Sequence, residues 1–104
     1  QRLLTSLREN PLKEIAGISI ASEEDYSTQT RSFVNGRKKE QLSLPKSNVI
    51  KYFLEDGSWV CVRPSGTEPK IKYYIGVKSS TEVDSKGKLY KITKDFTDEM
   101  NSRF

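Results

Sequence analysis

Apolar and polar positions along the chain fall into periodic segments separated by turn-rich stretches. Leu3, Leu4 and Leu7 lie at helical spacing, and Asn10-Pro11 is a stop signal because proline lacks an N–H and moves its predecessor out of helical geometry. A short helix is predicted from Arg2 to Glu9. Ile15 to Ala21 alternates, with Ile18 and Ile20 on one face, and reads as a strand running towards Tyr26. Val49 to Leu54 and Ser58 to Arg63 read as two strands joined through Asp56-Gly57, an antiparallel hairpin. A further strand places Ile71, Tyr73, Ile75 and Val77 on one face. The period then changes: Leu89, Ile92, Phe96 and Met100 recur at spacings of three and four, which predicts an amphipathic helix with Phe96 and Met100 in the core.

Two stretches read differently. Thr28 to Ser47 shows little periodicity, carries the turn signal Asn35-Gly36 and the basic run Arg37-Lys38-Lys39, and is expected to be the least structured part, a solvated loop or an attractor of acidic partners. Glu23-Glu24-Asp25 reads as a solvated strand terminus. Taken together, the elements predict one α+β domain over residues 1–104, with an antiparallel sheet of about four strands and helices packed on one face.

Composition narrows the function classes. Only 34% of residues are apolar, but they cluster in the periodic segments, so the chain is read as folded. A net charge of +4 suits an anionic ligand, yet no dense basic stripe argues for nucleic acid. Histidine is absent, which removes imidazole acid–base and metal chemistry, and the single cysteine, Cys61, has no disulfide partner and is expected to be a small buried hydrophobe. No run approaches the roughly 20 apolar residues that span a bilayer, and no signal peptide is visible, so no membrane partner and a cytoplasmic location are expected. Because the chain opens inside a helical segment, it is expected to be part of a longer protein.

The candidate chemistry lies between the two best strands, in Arg63-Pro64-Ser65-Gly66-Thr67-Glu68-Pro69-Lys70. Pro64 and Pro69 bracket the turn, Ser65 and Thr67 supply hydroxyls, and Gly66 is free to take positive φ so that backbone N–H groups converge. Arg63 offers a planar two-pronged contact and Lys70 a mobile point charge, so the run matches what a phosphate dianion requires. The competing reading is a plain Ser-Gly turn with solvated ends.

This octapeptide resembles the phosphate-binding loop of the C-terminal domain of the α-D-phosphohexomutases, the phosphoglucomutase/phosphomannomutase superfamily. The likeness extends into Asp56-Gly57-Ser58-Trp59-Val60 and Ile71-Lys72-Tyr73-Tyr74 and, more loosely, to Asn10-Pro11-Leu12-Lys13-Glu14-Ile15-Ala16-Gly17. It implies a layered α+β domain of TATA-box-binding-protein-like topology. It also implies a parent enzyme that moves a phosphoryl group between the 1- and 6-positions of a hexose, using a phosphoserine, Mg²⁺ and a hexose 1,6-bisphosphate. The C-terminal domain would clamp the phosphate that is not transferred, through Arg63, Ser65, Gly66 and Thr67 with Lys70 beside them, and Glu68 would orient a cation or the turn. The implied partners are a hexose phosphate and the other domains of the parent.

No Ser-His-Asn-Pro, Asp-x-Asp-x-Asp or Gly-Glu-x-Ser-Gly segment is present, so no catalytic residue, metal ligand or cofactor is assigned within this chain, and by itself it is expected to be inactive. Two other classes stay in view. A nucleic-acid module would use Tyr52, Trp59, Tyr73 and Tyr74 with Lys51, Lys72 and Lys78 on the sheet. A ligand-free interaction domain would leave the loop indifferent to phosphate.

Overall fold

A computed structural model describes residues 2–33, 39–43, 45–64, 71–78 and 82–103. Helix α1 (Arg2–Glu9) is followed by strands β1 (Glu14–Ile15), β2 (Ile18–Asp25), β3 (Thr30–Phe33), β4 (Lys39–Gln41), β5 (Ile50–Leu54), β6 (Trp59–Pro64) and β7 (Ile71–Gly76), and by helix α2 (Glu82–Ser102). All pairings among the described residues are antiparallel, in the order β4-β3-β2-β5-β6-β7, with β1 added beside β2.

The α+β class and the single helical layer agree with the reading of the sequence; the strand count does not. Seven strands stand where about four were expected. The segment read as one strand from Ile15 is a hairpin, because Ala16 and Gly17 both take positive φ, 52° and 79°, and reverse the chain in two residues. The turn is fixed from outside by Asp95 of α2, whose Oδ2 accepts from the Ala16 N–H at 2.6 Å. The stretch expected to be least structured supplies β3 and β4, held on β2 by backbone ladders and by Arg31, which donates to Glu24 Oε2 at 2.7 Å and to Glu40 Oε1 at 3.1 Å. Of the basic run, Lys39 lies exposed in β4, and residues 37 and 38 lie outside the described residues.

One face of the sheet meets both helices. Leu3, Leu4 and Leu7 of α1 and Ile92, Phe96 and Met100 of α2 join Ile20, Ile50, Tyr52, Leu54, Val60 and Val62 in one core, each of them at most 2% exposed. Tyr73 extends this face into β7 and meets the Phe96 ring edge-on, centroids 5.4 Å apart. Leu89, expected on the apolar stripe, is 40% exposed. A register shift between Ile20 and Ser22 turns β2 over partway along: Ile20 pairs with Leu54 on the core face, whereas Ser22 pairs with Phe53 and Glu24 with Lys51 on the other.

That shift corrects the reading of the acidic run. Glu24 and Asp25 are buried rather than solvated, at 5% and 8% exposure. Each has a cation, as a buried carboxylate requires: Arg31 for Glu24, and for Asp25 the guanidinium of Arg8, which donates through Nε at 2.9 Å and Nη2 at 3.2 Å. At the far ends of the helices, Arg103 donates through Nη1 to the carbonyls of Ser6 and Asn10 at 3.2 and 2.8 Å, adding to the bond the Ser6 carbonyl already accepts from the Asn10 N–H and tying the end of α1 to the end of α2.

Candidate functional site

Among the described residues no helix lies over the second face of the sheet. By register it carries Ser22 and Glu24, Arg31 and Phe33, Lys51 and Phe53, Trp59, Cys61 and Arg63, and Lys72, Tyr74 and Gly76. Arg63 therefore leaves β6 on the open face. The strand runs one residue further than expected, since Pro64 still pairs with Ile71. Ser65, Gly66, Thr67 and Lys70, the other expected phosphate contacts, lie with Glu68 and Pro69 outside the described residues, so Arg63 is the one member of that set whose place is given.

Directly opposite Arg63 stands Lys72, also exposed and on the same face. Neither side chain has a carboxylate partner among the described residues. Like charges facing each other across a ladder destabilise it unless an anion lies between them, which makes this pair the electropositive end of the sheet. The alternation of β7 places Lys72 on the polar face, but only the β6–β7 register brings it to Arg63, and sequence reasoning did not include it in the anion site.

The opposite end of the β5–β6 hairpin is locked. Gly57 takes φ 93°, and the Asp56 carboxylate accepts from the Ser58 N–H at 2.9 Å and from Lys88 Nζ at 2.7 Å. The same Nζ donates to the Lys78 carbonyl at 2.7 Å, so α2, the turn and the exit of β7 meet at one ammonium. Burial opposes ionisation of Asp56, but the hydrogen bonds from Lys88 and Ser58 outweigh it and hold the carboxyl below the usual range. Arg63 and Lys72 thus project from strands whose other ends are fixed.

Lys51 places its Nζ 4.8 Å from the Phe53 ring centroid and 4.5 Å from that of Trp59. Cys61, paired with Lys51, is half-buried rather than fully enclosed. Burial raises its thiol above the ordinary value although Lys51 and Arg63 pull the other way, so it is not an activated nucleophile. The aromatic set of the nucleic-acid reading is split: Tyr52 is fully buried beneath the helices and Tyr73 sits against Phe96, which leaves only Trp59 and Tyr74 of the four on the open face.

The family described as phosphoglucomutase/phosphomannomutase, C-terminal domain, matches residues 8–86. The chain belongs to this family. Among its relatives, a phosphoglucomutase of Staphylococcus aureus (strain USA300) is 41% identical over 76 residues, 73% of this chain and 14% of the relative. A phosphoglucomutase of Staphylococcus aureus (strain MSSA476) is 40% identical over 78 residues, 75% of this chain and 14% of the relative. One from Staphylococcus haemolyticus (strain JCSC1435) is 40% identical over 75 residues, 72% and 14% respectively. The aligned part of the chain thus spans about one-seventh of these relatives, 14% of their length. No solved structure matches the chain.

The family match contains all seven strands and the whole Arg63 to Lys70 motif. Among the described residues no group of three or more Asp, Glu and Cys side chains is placed to hold a metal ion, so the Mg²⁺ implied for a full-length enzyme finds no ligand set in them. No helix among them is long and apolar enough to cross a membrane.

Proposed function

We propose that this chain is the substrate-phosphate grip of a phosphoglucomutase or phosphomannomutase, an isomerase of carbohydrate metabolism. In this reading Arg63, Ser65, Gly66 and Thr67, assisted by Lys70, hold the phosphate of a hexose phosphate that is not being transferred. Other domains of a longer cytoplasmic enzyme, with Mg²⁺ and a hexose 1,6-bisphosphate activator, move a phosphoryl group between the 1- and 6-positions. The observation that carries the reading is the exposed Arg63 with Lys72 facing it, two cations without a described carboxylate at the mouth of a motif inside the family match.

The chemistry follows from that placement. A guanidinium gives a phosphate two parallel hydrogen bonds, and an ammonium on the neighbouring strand adds charge without demanding one orientation. Gripping the remote phosphate contributes binding energy that orients the reacting end of the sugar. Because the grip engages phosphate rather than a particular hydroxyl, it accepts the sugar in either direction, as a 1-/6-isomerisation requires.

The test is a ¹H–¹⁵N shift titration of the chain with inorganic phosphate, glucose 1-phosphate, glucose 6-phosphate and an uncharged sugar. Dissociation constants on the order of millimolar are expected, with shifts centred on residues 63 to 72, none with the uncharged sugar, and loss of the response in Arg63→Ala and Ser65→Ala. Binding unaffected by Arg63→Ala, or no response to any phosphate at tens of millimolar (a ceiling of roughly 2–3 kcal/mol of affinity), overturns the assignment. Salt-dependent binding of single-stranded oligonucleotides in place of sugar phosphates would favour the nucleic-acid reading instead.

A further inference from the structure

The rings on the open face are not equivalent. Phe53 and Trp59 share the ammonium of Lys51, and the indole of Trp59 lies across Gly76 with no room for a Cβ between them. Phe33 lies in a shallow hollow with Ser22, Glu24, Arg31 and Phe53. Tyr74 is different: it is 42% exposed, and among the described residues its side chain has no hydrogen bond, ring or cation against it. Its neighbour across the ladder is Cys61, a small side chain.

Position gives that ring a use. Tyr74 and Lys72 are two residues apart on the same face of β7, about 7 Å along the strand, and Lys72 faces Arg63. An anion held between Arg63 and Lys72 therefore has an exposed aromatic ring at roughly the length of a sugar ring. A pyranose presents a patch of C–H groups on one side and hydroxyls around its rim, and it is commonly held by an aromatic face plus a few polar anchors.

We propose that Tyr74 is a sugar-stacking residue: the hexose ring of a sugar phosphate anchored at Arg63 lies against its open face. This rests on the phosphate-grip reading and adds to it a contact with the sugar itself. The grip then distinguishes a hexose phosphate from free phosphate, while the stacking face stays indifferent to which hydroxyl carries the phosphate.

Isothermal titration and ¹H–¹⁵N shifts on the chain, with inorganic phosphate and glucose 6-phosphate compared in the native sequence, Tyr74→Phe and Tyr74→Ala, decide it. Glucose 6-phosphate should bind about three- to tenfold more tightly than inorganic phosphate, a margin kept by Tyr74→Phe and lost in Tyr74→Ala. Affinity for inorganic phosphate should be the same in all three. Phosphate binding without a sugar margin, a margin that survives Tyr74→Ala, or a margin lost already in Tyr74→Phe each overturns the stacking role and leaves the grip standing. Equal loss of both ligands in Tyr74→Ala does the same, since it marks a structural effect. If neither ligand binds the native sequence, the grip reading itself falls and the stacking role with it.

Discussion

The contact between Trp59 and Gly76 yields a prediction with a definite sign. Gly76 lies in a strand and does not take positive φ, so alanine is conformationally acceptable there and on backbone grounds alone would stabilise the chain by about 0.4–1 kcal/mol. Space says the opposite. A Cβ at position 76 would fall 2.7 Å from Trp59 Cζ2 and closer still to Nε1 and Cε2, against the ~3.5–4.0 Å of an ordinary carbon contact. The indole would have to move by about 1 Å or swing outwards, a displacement of the size that costs about 1–3 kcal/mol in other overpacked sites. Swinging outwards also loses the Lys51 ammonium, worth about 0.5–1 kcal/mol on a partly exposed ring.

The net expectation for Gly76→Ala is a loss of about 1–2 kcal/mol and a fall in urea midpoint on the order of 1 M. Trp59 is the only tryptophan in the chain, so its fluorescence reports both the unfolding transition and the displacement of the ring. Gly87→Ala in α2 is the matched control. A Cβ there meets nothing within 4 Å, and replacing a helical glycine should raise stability by about 0.5–1 kcal/mol. A Gly76→Ala protein as stable as the native one, with unchanged emission, would refute the packing argument; so would finding the two substitutions of the same sign.

Three further outcomes are expected. Lys88→Met removes the ammonium bridging Asp56 and the Lys78 carbonyl and should cost about 1–2 kcal/mol in urea unfolding; an unchanged midpoint would show that the bridge adds nothing. Phe96→Ala empties a fully buried site shared by α2 and Tyr73 and should cost about 3–5 kcal/mol, read as a collapse of the thermal transition. Stability should also turn over with acid: Asp25 and Asp56 titrate below the ordinary 3.8, so their contribution is complete above that value and is lost as the pH falls through their folded pKa values. Glu23 has the opposite sign, because burial and then Asp25 raise it above 4.5, and its penalty is relieved as the pH falls towards 4.5. Chemical unfolding from pH 7 to 3 should therefore show a shallow rise and then a fall, and Glu23→Gln should abolish only the rise.

What the sequence made legible depended on whether local pattern or distant pairing decides the structure. Leu3, Leu4 and Leu7, and Ile92, Phe96 and Met100, announce their helices because each stripe is buried by its own periodicity. Leu89 misleads because it lies at the edge of that stripe, where the sheet no longer covers it. Thr30 to Phe33 and Lys39 to Gln41 carry no alternating apolar pattern; they are strands because β2 offers a backbone edge and because Arg31 finds Glu24 seven residues back and Glu40 nine residues on. The solvated reading of Glu24 and Asp25 failed for a related reason, since Arg8, 17 residues before Asp25, is invisible to any local window.

The candidate site divides along the same line. The proposed phosphate contacts concentrate two hydroxyls, a glycine and two cations within eight consecutive residues, so that proposal can be framed from the sequence without any fold. Lys72 and Tyr74 acquire meaning only through register: a shift of one residue between β6 and β7 would turn Lys72 and Tyr74 under the helices and bring Tyr73 and Ile75 to the open face. Burial makes that shift prohibitive, because it would take Tyr73 from Phe96 and place an ammonium in the core. The packing of α2 on the sheet is therefore what holds Lys72 opposite Arg63, and core substitutions such as Phe96→Ala should weaken the proposed phosphate grip along with stability even though they lie outside it.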